Sequence, residues 1–385
     1  MEITMLNHNE NWWQEKGAVL TAAAIVAQPR LWQEGLELIT AQREKVVGFW
    51  QECCAENRII ITGAGSSLLA AQASLNWLRS VSSRQIDVIP ATDLVMIPQV
   101  LADNVVLVSI SSSGNTPETV QVVEKQLAAY PHTPHIAITN NAQSRLAQLA
   151  CQHPAGLFVP APEGTSNGSF AATAEFTLPQ WYLMLLLAPQ CWQELDGVLP
   201  VLQRGATYFF NTYADDIEQW AMQQRDNVVA LGALSLKAIA CETGLKLLEM
   251  GNGRIMTAWH SMLEFRHGPK LAINRNATVV GYIAARPEIR RYDLDMMTEL
   301  THERSPQAQI LGIGHDALPA GVAACDRYYH FACPELADYP ESFAAILYVL
   351  YAQLAGLYRS IALGVTPDNP SRDGKVAKVA KVIVY

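Results

Sequence analysis

The chain has 385 residues, of which 50% are apolar and 16% charged, with 27 Lys and Arg against 36 Asp and Glu and a formal net charge of −9. So few charges and so much apolar material exclude a disordered chain. The acidic balance, without a long basic run, disfavours a nucleic-acid or membrane-surface role. At about 150 residues per domain the length suggests two to three domains. An anionic small ligand would have to be held by local backbone dipoles and hydroxyls rather than by net charge.

Met1 to Lys16 carries Asn, Glu and Trp with no basic start or apolar core, so it does not read as a signal peptide. Pro29 to Gln51 reads as an apolar-striped helix leading into the first domain. Short β-branched runs follow at Ile59–Thr62, Ile86–Ile89, Val105–Ser109, His135–Thr139 and Leu157–Val159, separated by stretches of helical periodicity. Strands alternating with helices predict an α/β unit with a parallel sheet covered on both faces. The second half repeats the arrangement at Val228–Leu231, Arg254–Thr257, Thr278–Ile283, Gln309–Ile313 and Tyr328–Phe331, displaced throughout by roughly 168 to 174 residues. The reading is one five-stranded unit used twice. Leu178–Pro189 and Phe343–Gly364 are the longest apolar stretches and read as buried core helices. The predicted boundaries are a helical lead-in over 1–50, domains over 51–215 and 216–364, and a tail over 365–385. The TPDNP turn at Thr366–Pro370 opens that tail, which fits either an edge strand or an arm reaching another subunit. Seven cysteines without a CxxC spacing suggest neither a disulfide framework nor a zinc site, and the protein reads as soluble, cytoplasmic and reduced.

Four segments carry candidate chemistry. GAGSS at Gly63–Ser67 joins the first strand to its helix, but Leu68 stands where a dinucleotide fingerprint would place its third glycine. NAD is therefore not expected, although Asp87 lies about 20 residues on. VSISSSGNTPET at Val108–Thr119 is a stronger signal. Ser111, Ser112 and Ser113 lead through Gly114 to Asn115 and Thr116, a Thr N-cap with Pro117 at the first helical position. That many hydroxyls at a positive helix end suit a phosphate bound without Lys or Arg; a plain capping turn would need one of them. The matching place in the second repeat, GYIAARPEIR from Gly281, has no serine cluster.

In CETGLKLLEM at Cys241–Met250, Glu242, Lys246 and Glu249 share one helix face. Either they form a solvated stripe with an i,i+4 pair or they line a ligand site at the carboxyl end of the sheet. In EFRHGPK at Glu264–Lys270, Gly268–Pro269 fixes His267 on a turn. A structural imidazole and a functional one are both open. No spacing such as HExxH is present, so no metal is expected.

Together GAGSS, SISSSGNTPET, ETGLKLLE and EFRHGPK resemble a double sugar-isomerase (SIS) domain protein. With TAAAIVAQPRLW near the start and TPDNP near the end, the set is similar to the galactosamine-6-phosphate deaminase/isomerase branch, also described as tagatose-6-phosphate ketose/aldose isomerases. The resemblance implies two tandem SIS domains of flavodoxin-like, three-layer form. It implies that Ser67, Ser111, Ser112, Ser113 and Thr116 hold a sugar phosphate, that Glu249 moves a proton between sugar carbons, and that His267 of a neighbouring subunit assists ring opening. Lys246 would approach the substrate, with Thr173 and a C-terminal lysine, Lys378 or Lys381, at the sugar. Where glucosamine-6-phosphate synthase has a Val-Ala-Ser-Thr stretch, this chain has Phe170-Ala171-Ala172-Thr173 and lacks the serine hydroxyl. The implied activity is deaminating aldose–ketose isomerisation, most simply galactosamine 6-phosphate to tagatose 6-phosphate and ammonia. Plain ketose–aldose isomerisation and a non-catalytic phosphosugar-sensing module are the alternatives. The expected partners are a sugar phosphate and a second copy, as a homodimer or dimer of dimers with a shared active site. Neither nucleic acid, membrane, metal nor cofactor is expected.

Overall fold

The computed structural model describes residues 4–53, 58–97, 101–223, 227–274, 276–319, 322 and 325–372. The chain divides into two units. One runs over Arg30–Ser166 and Ala174–Leu199, and the other over the described parts of 1–29, 167–173 and 200–376.

At the N-terminus β1 (Thr4–Met5) pairs antiparallel with β2 (His8–Asn9), and Asn9 caps α1 (Glu10–Lys16) through its side chain. Two helices follow, α2 (Val19–Ala41) and α3 (Arg43–Glu52), where one helix over 29–51 was expected. Proline at the start of an apolar stripe reads as a helix beginning, but Pro29 lies inside α2. It has no N–H for the carbonyl of Ile25, and the Gln28 side-chain amide supplies a donor to that carbonyl at 2.9 Å. That bond removes a buried orphan acceptor, which would cost about 1–3 kcal/mol.

The first sheet holds β3 (Arg58–Gly63), β4 (Ile86–Pro90), β5 (Val105–Ile110), β6 (His135–Ile138) and β7 (Gly156–Phe158), all parallel in the order β4-β3-β5-β6-β7. With α3, this unit holds α4 (Ser66–Val81), α5 (Ala91–Met96), α6 (Pro117–Ala129), α7 (Arg145–Gln152) and α8 (Ala174–Leu187). Strand alternation sends Ile60, Leu107, Ala137 and Phe158 to one face, where they bury against Leu94 of α5, Val122 and Val123 of α6 and Leu146 of α7. Helices α4 and α8 cover the other face, so the unit has three layers. α8 is buried along its whole length, as its nearly uninterrupted apolar sequence requires. α9 (Trp192–Ala221) follows it.

The second sheet holds β8 (Asn227–Gly232), β9 (Met256–His260), β10 (Ala277–Tyr282), β11 (Gln309–Gly314) and β12 (Arg327–His330), again all parallel, in the order β12-β11-β10-β8-β9. Read from the other edge this is the order of the first sheet. α10 (Ser235–Met250) and α12 (Glu341–Ala362) lie on one face; α11 (Pro287–Glu303) lies on the other with 3-10 turns over Glu264–Arg266 and Pro269–Asn274. β9 begins at Met256 rather than the expected Arg254, whose guanidinium donates to the Leu363 carbonyl instead. The matched helices α4 and α10 each have 16 residues. Their entry turns share a backbone shape too: Gly65 has φ 54° and ψ −132°, and Leu234 has φ 53° and ψ −124°. Leucine in this glycine-type conformation costs about 1–3 kcal/mol, so the second copy keeps the turn after losing the residue that suits it.

α12 is the one described helix long and apolar enough to cross a bilayer, and 94% of its most apolar window is buried inside the protein. The TPDNP turn has a structural use within the second unit. Asp368 accepts from the backbone N–H groups of Leu20 and Thr21, at 3.0 and 2.7 Å, and from the Thr21 hydroxyl, satisfying the start of α2. Lys378 and Lys381 lie outside the described residues.

Candidate active site

In open parallel sheets ligands gather beyond the carboxyl ends of the strands, where the strand order reverses. In the first unit that point lies between β3 and β5, whose connections leave to opposite sides. Both expected segments are there. Gly63 lies so near the end of β5 that a Cβ on it would stand 2.8 Å from the Ile110 carbonyl oxygen and 3.2 Å from Ser67 Cβ. The absent side chain therefore brings Ser67, in the first turn of α4, beside the residue preceding Ser111.

The serine loop is internally organised. Ser111 Oγ is 2.8 Å from Thr116 Oγ1 and 3.5 Å from Ser113 Oγ, and it accepts from Gly114 N at 3.1 Å. Ser113 Oγ accepts from Asn115 N at 3.2 Å. Gly114 has φ 64°, and a Cβ there would overlap Ser144 Oγ at 2.1 Å, so the bend needs glycine. Thr116 stands at the N-cap of α6, with Pro117 at the first helical position as expected, yet its hydroxyl makes no cap hydrogen bond. It turns to Ser111 instead, and the start of α6 carries no side-chain cap. Three further residues brace the loop, two from the turn after β6 and one from the start of α7. Asn140 Nδ2 donates to Ser112 Oγ at 3.1 Å, Thr139 Oγ1 donates to the Ser112 carbonyl at 3.1 Å, and Asn115 Oδ1 accepts from Arg145 N at 2.9 Å. The polar run Thr139–Asn141 at the end of a strand was the available signal for these supports. Asp87 pairs with Arg58 at 2.5 Å, both near the amino ends of their strands, away from the loop. The acid that could have held a ribose is thus used in the sheet.

The matching place in the second unit is closed by the chain itself. Asp293 Oδ2 accepts from Ala284 N at 2.8 Å, and Arg286, at the N-cap of α11, lies 3.2 Å from Glu288 and 3.4 Å from Glu341. Burial pushes the Asp293 carboxyl up to about 7. A carboxylate of the protein occupies the backbone donor that an anion would otherwise use.

The Glu242–Lys246–Glu249 face is not a solvated stripe. The side chains of Glu242 and Lys246 are 0% and 1% exposed, while that of Glu249 is 30% exposed. Lys246 Nζ lies 2.5 Å from Glu249 Oε2 and 3.4 Å from Glu242 Oε1. Burial pulls the ammonium's pKa down, but the two carboxylates outweigh it and hold Lys246 above the ordinary lysine range. α12 covers this part of α10, with Gly356 so close that a Cβ would be 3.5 Å from the Lys246 carbonyl oxygen. Thr173, from the expected sugar-lining stretch, is buried in the same unit. Its carbonyl accepts from Gln353 Nε2 of α12 at 3.2 Å, and Gln353 Oε1 accepts from Gln28 at 2.7 Å.

His267 is exposed at the end of the 3-10 turn, followed by Gly268 with φ 119°. Its neighbours anchor it: Arg266 lies 2.8 Å from Glu299 of α11, and Lys270 pairs with Glu299 and, at 2.5 Å, with Glu303. The EFRHGPK turn is thereby fixed on both sides of an imidazole that projects outward. No hydrogen bond or ion pair among the described residues joins His267 to Glu249 or Lys246.

Residues 54–188 match the family model described as the SIS domain. The chain is 33% identical over 374 residues to a protein of Streptomyces coelicolor assigned as D-galactosamine-6-phosphate deaminase AgaS, covering 95% of each. It is 31% identical over 379 residues to D-galactosamine-6-phosphate deaminase AgaS of a Shewanella species, covering 96% of this chain and 92% of that one. Among solved structures, a Clostridium novyi protein assigned as a tagatose-6-phosphate ketose/aldose isomerase superposes with a TM-score of 0.93 over the whole of both chains, at 27% identity.

Proposed function

The chain belongs to the AgaS family of D-galactosamine-6-phosphate deaminases, and from that membership we propose that it converts D-galactosamine 6-phosphate and water to tagatose 6-phosphate and ammonia. The observation that carries the reading is Glu249, a partly exposed carboxylate fixed by a buried ammonium. Its Oε2 is bound by Lys246, and Oε1 has no hydrogen-bond partner among the described residues.

In this reading the hydroxyls of Ser111, Ser112, Ser113 and Thr116, with Ser67 and the start of α6, hold the phosphate. Binding energy gained at the phosphate positions carbons remote from it. Ring opening, assisted by His267, exposes the C1 aldehyde beside the C2 amine. Glu249 takes the C2 proton, giving an enolamine, and returns a proton to C1, giving a ketimine. Water adds at C2 and ammonia leaves, with tagatose 6-phosphate as the other product. In the same reading Thr173 lines the sugar.

The exposure of His267 on an anchored turn supports its donation to a second copy, and we propose a homodimer with a shared site. Mixing the Glu249→Gln and His267→Ala variants should then restore part of the activity that each has lost. Failure to restore any would make the site self-contained.

The test of the activity is ammonia release from galactosamine, glucosamine and N-acetylgalactosamine 6-phosphates. Release from galactosamine 6-phosphate in preference to the others is expected. Interconversion of tagatose 6-phosphate with an aldose phosphate, with no ammonia from any amino sugar, would establish plain isomerisation instead, the activity for which the Clostridium novyi relative is named. Binding without turnover would establish a sensing module.

A further inference from the structure

We propose that Glu299 is a positioning residue for His267: its one carboxylate ties Arg266 to Lys270 across the exposed turn and so sets where the imidazole stands. The inference rests on the reading of His267 given above, as the group that assists ring opening.

Three observations carry it. First, the segment is sunk in the core at its two ends and lies outside it between them. Phe265 and Ile273 are buried in the core of the second unit, whereas Arg266, His267, Gly268 and Leu271 are exposed. Packing therefore fixes the ends of the turn but not the imidazole. Second, the turn has a pivot. Gly268, next to His267, has φ 119°, and a Cβ there would meet nothing within 4 Å. Glycine enters and leaves this conformation easily, and no neighbouring atom holds the angle. Third, Glu299 supplies what packing does not. Its Oε2 lies 2.8 Å from Arg266, one residue before His267, and its Oε1 binds Lys270, three residues after it. Glu303, one helical turn further along α11, reaches Lys270 alone among the described residues. Of these two acids only Glu299 spans the pivot. Each pair is partly exposed, so it contributes little to global stability. Its effect is local, because displacing a reacting group by about 1 Å costs about a hundredfold in rate.

The test compares Glu299→Ala, Glu303→Ala and His267→Ala in the full-length protein. Backbone hydrogen exchange reads the turn directly, without substrate. The amides of Arg266, His267 and Leu271 donate within the turn to the carbonyls of Leu263, Glu264 and Gly268. In Glu299→Ala they should exchange about three- to tenfold faster, with β9 and α11 unchanged. The kcat for ammonia release should fall roughly 10- to 100-fold, with KM changed by less than about threefold. Glu303→Ala should keep both within about twofold of the unmodified protein. Added to His267→Ala, Glu299→Ala should cost less than about twofold more, because nothing is then left to position. Losses that multiply would make Glu299 merely structural and contradict the proposal. So would unchanged exchange over the turn, or an unchanged kcat in Glu299→Ala. An equal fall in Glu303→Ala would assign the effect to lost charge alone and overturn it as well. Full turnover in His267→Ala marks a different failure, that of the role given to His267, and the proposal falls with it.

Discussion

Replacing Glu249 with glutamine should lower kcat by about 10²- to 10⁴-fold, the usual contribution of one placed acid–base group, while KM changes by less than about threefold. The substitution keeps the side chain's size and leaves an amide oxygen to accept from Lys246, so the 2.5 Å contact and the packing of α10 have a substitute. It removes only the ability to hold the proton between C2 and C1. Steady-state ammonia release gives kcat, and equilibrium binding of the substrate by the inactive variant gives its affinity. A variant with full turnover would remove Glu249 from the proton path.

The second large effect belongs to the phosphate. In Ser113→Ala combined with Thr116→Ala, two hydroxyls disappear from a loop that has no lysine or arginine among its own residues, Ser111–Thr116. Hydrogen bonds to a charged group contribute about 1.5–3 kcal/mol each, so kcat/KM should fall roughly 10²- to 10⁴-fold, mainly through KM. Galactosamine without its phosphate is the control. It should be a poor substrate for the unmodified protein, and the double substitution should change its rate little. An unchanged KM for the phosphorylated sugar would place the phosphate elsewhere.

Much of this arrangement is legible in the residues because parallel strands buried on both faces leave an uninterrupted β-branched record. Ile59–Thr62 and Val105–Ser109 fall within β3 and β5, and Val228–Leu231 within β8. The serine loop is legible because a capping turn needs one hydroxyl and this one has four. What the sequence hides is set by partners distant along the chain. Glu242 and Lys246 have the spacing of a solvated ion pair, and only the covering of α10 by α12, about 100 residues later, makes them a buried one. Thr116 has the right position for an N-cap, but Ser111 competes for its hydroxyl at 2.8 Å. Pro29 looks like a helix start until Gln28 supplies the missing donor to Ile25. TPDNP looks like a tail turn until Asp368 reaches Leu20 and Thr21, some 350 residues away in sequence.

In the proposed reaction one proton leaves C2 of an amino sugar phosphate, a proton arrives at C1, and ammonia is lost from the resulting imine. Galactosamine 6-phosphate carrying deuterium at C2 tests this most directly, with ammonia and the sugar product measured in the same reaction. A ketose 6-phosphate equal in amount to the ammonia is expected, with the deuterium found at C1 or in the solvent. Ammonia accompanied by an aldose product that keeps its C2 deuterium, or a ketose formed with no ammonia, would contradict it.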